Sequence, residues 1–338
     1  MKNTNEGVAA YGSPQEPARQ GRLGYLPVSL FGSVMGLVGL SGAWNLAVHL
    51  WGAPGWVSTA IGLLAVAAFV AVAVGYIVKA STHFATVRAE YEHPVAGNLF
   101  GTVFISLLLL PIPLSGYSLP LARGLWVLGT IGMLVFAWQI MSRWLSQRQQ
   151  TAHATPAWIV PVVGLIDIPL ATPVLQWDWT GPIAFFALVV GLFFALPLFT
   201  LIFSRLLFEE PLAPGMQPSL MILLAPFAVG FSAYVTTLAR IDLFASALYM
   251  LTLFLLGVLL GRLKNLARSC PFRLSWWSVS FPLAAAAGCA IRYAGQVDNL
   301  FTQSVAMLLL ALATIVILGM TAQTLLAVAR GDLHRLAG

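Results

Sequence analysis

The chain has 338 residues, 59% hydrophobic and only 8% charged, with a mean hydropathy of +0.88. A soluble domain is about 25% charged, and a core of this length cannot hide so much apolar surface from water, so the solvent of this chain is lipid. A formal charge of +6 and a pI near 9.6 would suit nucleic acid, but the basic residues flank apolar runs instead of forming a patch, which removes nucleic acid as a partner.

In lipid the backbone must satisfy itself, by helices or by a closed barrel. The apolar runs are continuous and not alternating, so an all-α polytopic membrane protein is expected. Residues 1–24 are polar and rich in Gly, Pro and Gln, the composition of a mobile cytoplasmic leader. Ten apolar segments follow, near 25–50, 56–80, 95–114, 119–141, 157–174, 181–203, 218–239, 241–261, 275–294 and 300–329. The domain reading is therefore a leader, a membrane domain over 25–330 and a cytoplasmic tail over 331–338. The first apolar segment is too long for the h-region of a cleavable signal peptide. Short gaps after the odd segments pair the ten into five helical hairpins.

Charge sets the orientation. Of the 17 Lys and Arg residues only Arg123, Arg240 and Arg292 fall on one side; the leader, the tail and the loops after the even segments hold the rest. The positive-inside rule then places both termini in the cytoplasm. Trp51, Trp56, Trp177 and Trp179 fall near the outer ends, where interfacial indoles belong, and Asp178, Asp242 and Asp298 are expected there in water.

The odd segments contain or begin with proline: Pro27, Pro94, Pro161, Pro226 and Pro282, spaced by 67, 67, 65 and 56 residues. The even segments are nearly free of it, Pro197 being the exception. This reads as a fivefold repeat of a hairpin. Proline frees a carbonyl that only protein or a water-filled cavity can satisfy at membrane depth, so the odd helices are expected to form an inner ring around a central pore and the even ones to face lipid. In the first segment Gly32, Gly36, Gly39 and Gly42 share a face that suits a packing seam and a pore wall equally. In the ninth, Phe281, Ala285, Gly288 and Arg292 share one face: a bulky ring above a strip of small residues, ending in a cation. That pattern fits a plugged lumen, although small residues also allow plain close packing.

Few residues suggest chemistry. The run Arg88-Ala89-Glu90-Tyr91-Glu92-His93-Pro94 precedes the third segment, and His93 is expected as a brace at the cytoplasmic mouth with Glu90 and Arg88 as partners, or as a proton carrier. Asp167 is the one acidic residue deep in a segment, which makes it a functional candidate by default. The five histidines lie at helix ends, in loops or in the tail, so a bis-His haem site is not expected. The two cysteines, Cys270 and Cys289, lack metal-ligand spacing and are expected as free thiols. No phosphate-binding loop, metal motif or nucleophile elbow is present, so neither an enzyme nor a bound cofactor is expected.

Three stretches, Arg88 to Pro94, Leu224-Ala225-Pro226-Phe227-Ala228-Val229-Gly230-Phe231-Ser232-Ala233-Tyr234 and Trp276-Trp277-Ser278-Val279-Ser280-Phe281-Pro282-Leu283, resemble the tellurite-resistance/dicarboxylate transporter family, which includes bacterial TehA and the slow anion channels of plant guard cells. The similarity covers roughly residues 25–330. It implies ten helices as five hairpins in a quasi-fivefold arrangement, a homotrimer with one pore per subunit in the bacterial inner membrane, and occlusion of each pore by the Phe of the ninth helix, here Phe281. Pro27, Gly32, Gly36, Pro94, Pro161, Pro226, Gly230, Pro282, Ala285 and Gly288 become pore-lining or kink candidates. Glu90, His93, Asp167 and Arg292 become mouth or proton-coupling candidates. Asp167 departs from the largely uncharged pore of the anion channels. The leading expectation is a passive channel for small inorganic or carboxylate anions. A proton-coupled dicarboxylate or sulfite carrier is the alternative, and a non-conducting anchor or redox subunit a remote one.

Overall fold

A computed structural model describes residues 23–269 and 271–337. The expected leader, apart from its last two residues, and Cys270 lie outside that range. Ten helices among the described residues are long and apolar enough to cross a bilayer: Val28–Trp51, Gly55–Thr82, Ala96–Leu114, Leu119–Ser146, Pro156–Leu175, Thr180–Phe208, Pro214–Leu238, Leu243–Arg262, Leu274–Gln296 and Leu300–Arg330. They are called the first to tenth spans.

The odd and even spans differ in backbone and in burial. The even spans belong to unbroken α-helices of 27 to 31 residues, and Pro197 does not interrupt the sixth. Only 22 to 39% of their apolar windows is buried, against 61 to 78% for the odd spans. Large side chains such as Ile131, Phe193, Phe254 and Ile315 point out of the even spans and stay exposed, the surface a bilayer would cover. Each odd span touches the odd spans next to it in chain order, and the ninth packs back on the first. The five therefore close on one another, with the even spans outside.

Every odd span opens in 3-10 geometry. The runs are Val28–Leu30, Ala96–Phe100, Pro156–Trp158 followed by Gly164–Ala171, Pro214–Leu224 and Leu274–Val279. Such runs rarely exceed three or four residues, so the eight residues of Gly164–Ala171 and the eleven of Pro214–Leu224 are unusual. The prolines explain part of this. Pro226 and Pro282 fall at the starts of the α-helices that follow, where a missing N–H costs nothing. Pro169 and Pro218 lie inside the 3-10 runs and withhold N–H groups an α-helix would need.

Side chains tie the inner spans together. Ser280 donates to the Gly32 carbonyl at 3.1 Å, Ser106 to that of Phe31 at 3.2 Å, and Trp126 in the fourth span to that of Ile168 at 3.0 Å. Gly36 fits tightly on Ser280, whose Oγ and Cβ occupy the place a Cβ at residue 36 would take. At the basic side, the loop before the third span forms a helix, Phe84–Glu92. From it Glu90 reaches back to accept from the Val28 amide at 2.7 Å, the Tyr76 hydroxyl at 3.0 Å and the Lys79 ammonium at 2.7 Å. Lys79 is 3% exposed and also donates to the Leu26 carbonyl at 2.7 Å.

Candidate functional site: a cavity between the inner spans

A cavity of about 170 Å³ lies where the 3-10 runs converge, and all of its lining residues come from the odd spans and the residues just before them. The 3-10 geometry explains which residues reach it. With three residues per turn, side chains at i and i+3 stack in a straight column. The seventh span contributes Met216, Ser219, Ile222 and Ala225, and the ninth Ser275, Ser278 and Phe281. The fifth contributes Ala157, Val160, Val163 and Ile166, with Gly164 and Asp167 beside them.

Counted from the basic side, the deepest lining residues of the five spans are Met35, Ile105, Asp167, Val229 and Pro282. Phe281 stands at that level, 7% exposed, with its ring over Gly39: a Cβ there would meet Phe281 Cδ2 at 3.4 Å and the Ala284 methyl at 3.0 Å. Beyond the ring, space opens again. Nothing lies within 4 Å of where a Cβ on Gly42 would be, and only Leu46 Cδ1, at 3.8 Å, approaches that point at Gly288. Ala285 and Arg292 are partly exposed in an otherwise buried helix. Arg292 has no ion pair among the described residues.

The walls are mostly apolar. The hydroxyls of Thr102, Ser219 and Ser278 are turned onto carbonyls of their own spans, those of Leu99, Met216 and Ser275. Three other polar atoms in the lining, Thr155 Oγ1, Asp167 Oδ1 and Ser275 Oγ, are buried without a partner. Thr155 and Asp167 are each 2% exposed.

The candidates from sequence separate accordingly. Gly32, Asp167, Phe281 and Pro282 line the cavity. Ala285, Gly288 and Arg292 lie along the ninth span beyond Phe281. Gly36 packs on Ser280, and Gly230 faces Leu192 of the sixth span, 2.9 Å from where its Cβ would be. Pro27, Pro161 and Pro226 bend or start helices outside the lining, and Pro94 is exposed in the loop. The expected pairing of His93 with Glu90 and Arg88 is replaced by other contacts. His93 Nδ1 accepts from the Val95 and Ala96 amides at 3.2 and 3.1 Å. Glu90 is taken by Lys79, and Arg88 binds Glu92 at 2.8 Å, a pairing that holds the exposed guanidinium above its ordinary pKa. Asp242 was expected in free solution, but it accepts from the Tyr234 hydroxyl at 2.6 Å and from the Phe244 and Ala245 amides at 3.1 Å. Thr155, Ser275 and the Lys79 bracket were not singled out from sequence. Cys289 is a buried free thiol, and no group of three metal-ligating side chains is present among the described residues.

Comparison with known proteins agrees with this architecture. The family model described as a voltage-dependent anion channel, SLAC1, matches residues 25–325. The S-type anion channel SLAH3 of Arabidopsis thaliana is 30% identical over 312 residues, which is 89% of this chain and 48% of that protein. SLAH2 of the same plant is 33% identical over 258 residues, 74% of this chain and 49% of that protein. The tellurite resistance protein TehA homolog of Haemophilus influenzae is 27% identical over 275 residues, covering 79% of this chain and 81% of that protein. The chain thus spans about half the length of the two plant relatives. The matched range takes in nearly all of the ten spans, so the chain is a multi-pass membrane protein belonging to the SLAC1/TehA family of anion channels and transporters.

Proposed function

We propose that the protein is a passive anion channel whose route runs through the middle of the five odd spans and is closed by Phe281. The observation that carries this reading is the position of that ring: a cavity on one side and an open strip of Gly42, Ala285 and Gly288 on the other. An aromatic ring filling a narrow apolar passage excludes water and ion together, the basis of hydrophobic gating. On the far side Arg292, without an ion pair among the described residues, would raise the local concentration of anions. The rest of the reading comes from charge distribution and family likeness: five hairpins in quasi-fivefold order, a homotrimer with one pore per subunit, a bacterial inner membrane and both termini in the cytoplasm.

The test is anion current through purified protein in a planar bilayer, wild type beside Phe281→Ala, under a chloride gradient. Lowering the barrier by about 1.4 kcal/mol raises flux about tenfold, and loss of the whole ring is expected to do at least that, with the reversal potential following chloride. If the ring were only packing, the substitution would instead cost about 3–5 kcal/mol of stability without opening anything. Unchanged current in a mutant that matches wild type in melting temperature and oligomeric size refutes the gate.

A second reading, a proton-coupled carrier of carboxylates or sulfite, is favoured by one observation, the unpartnered Asp167 carboxyl in the cavity wall. It predicts uptake driven by a pH gradient. Uptake indifferent to that gradient removes it.

A further inference from the structure

The cavity holds one ionisable side chain and no cation. Its lining contains no Lys, Arg or His, and Asp167 is its only acid. Around it, three lining hydroxyls are spent on carbonyls of their own spans, whereas Thr155 Oγ1, Asp167 Oδ1 and Ser275 Oγ have no partner although buried. Buried polar atoms are nearly always paired, so three orphans facing one cavity mark a place where something else completes them.

The occupant follows from charge. If Asp167 were ionised, an anion one contact away, at about 4 Å and an effective dielectric of about 20, would be disfavoured about a thousandfold. If Asp167 keeps its proton, the same group becomes an O–H donor, and with the two hydroxyls it offers three donors and no fixed charge. Such a site suits a small monovalent anion and not a dianion, whose second charge would meet no cation. Building on the channel reading above, we infer that Thr155, Asp167 and Ser275 form a monovalent-anion site that is available only while Asp167 is protonated, so that flux falls as pH rises.

The surroundings of Asp167 leave it to act alone. The elements packed against Gly164–Ala171 are the fourth and sixth spans, the α-helical parts of the third and seventh, and the short helices Ile159–Val163 and Thr172–Leu175. The third-span helix and the two short helices carry no ionisable residue. Arg123 of the fourth span donates to the Leu175 and Gln176 carbonyls and lies over Trp177. Arg143 of that span donates to the Tyr91 carbonyl. Arg205 of the sixth donates to the Ala152 carbonyl, and Tyr234 of the seventh to Asp242. None of these four lines the cavity.

Two measurements test the inference. The first is chloride current in the Phe281→Ala background at a series of symmetric pH values, with and without Asp167→Asn, which keeps the shape and a donor but cannot ionise. Current is expected to fall about tenfold per pH unit once pH passes the midpoint of the carboxyl. The Asn variant is expected to conduct at the acid-side level throughout, and sulfate to carry no current. The second is binding of nitrate to purified protein carrying the native Phe281, by calorimetry across the same pH values. Binding is expected in acid, lost at alkaline pH, and weakened several-fold in Thr155→Val without a shift of its pH midpoint. Calorimetry needs no conduction, so nitrate bound in acid by a protein whose Phe281→Ala form stays silent refutes the channel and not the site. Binding and current that ignore pH, or that keep the same pH profile in Asp167→Asn, overturn the inference. Should Asp167→Asn not fold, the pH profile and the Thr155→Val binding decide it.

Discussion

The bracket around Glu90 makes a sharp prediction. Lys79 and Glu90, 3% and 14% exposed at the side chain, meet at 2.7 Å, and Glu90 also holds the Val28 amide and the Tyr76 hydroxyl. The pair therefore fixes the first turn of the first span, next to the cavity-lining Ser29. Removing one partner of a buried pair costs about 3–5 kcal/mol, chiefly because the other charge is left uncompensated. Glu90→Gln leaves Lys79 with the Leu26 carbonyl alone, and Lys79→Met leaves Glu90 with two neutral donors. At about 2 °C per kcal/mol for a chain of this size, each single change should lower the melting temperature in detergent by about 6–10 °C. The double change removes both charges together and should recover most of that loss, since neutral replacements of buried pairs are often tolerated. Thermal unfolding followed by size-exclusion chromatography gives the four values of the cycle. If the double variant loses as much as the two single losses added together, the charges are not coupled and the reasoning fails.

Two further predictions concern packing and pH. Gly36→Ala forces a methyl into the place of Ser280 and should cost about 1–3 kcal/mol. Pairing it with Ser280→Gly should restore part of that, and absence of any rescue in the melting temperature would contradict the seam. Asp242 is held below the usual carboxylate range, first by the Tyr234 hydroxyl and then by the Ala245 amide. A depressed pKa contributes stability that is present above the unfolded value and lost as pH falls through the folded one. Asp242→Ala should therefore melt below wild type at neutral pH, with the gap closing in acid. A gap that stays constant would assign the loss to something other than the charge.

Much of the architecture was legible because it rests on long-range regularities. Apolar length gave the ten spans, the Lys and Arg distribution separated the two ends, and the proline alternation separated buried from lipid-facing helices. The interior was harder, for a reason of period. A face was sought at the 3.6-residue spacing, which groups Phe281, Ala285, Gly288 and Arg292, but the cavity wall is written largely in threes. Ser275 and Thr155 were hidden because nothing in a single hydroxyl distinguishes one that bonds its own backbone from one that does not. The Lys79–Glu90 pair was hidden by the break in the helix at His83, which folds the Phe84–Glu92 helix back and brings together residues that a continuous helix would keep about 16 Å apart. Asp167 stood out because a lone acid in an apolar run needs no geometry to be noticed.

A wall built in threes also has a reading frame. One residue inserted into Pro214–Leu224 would turn everything beyond it by about 120° about the helix axis, replacing the column of Met216, Ser219, Ile222 and Ala225 partway along with neighbours that now face other spans. Three inserted residues would restore the column and lengthen the span by about 6 Å. The inner spans of this protein should therefore tolerate many side-chain exchanges while resisting changes of length, and gain or lose residues in triplets where they change length at all.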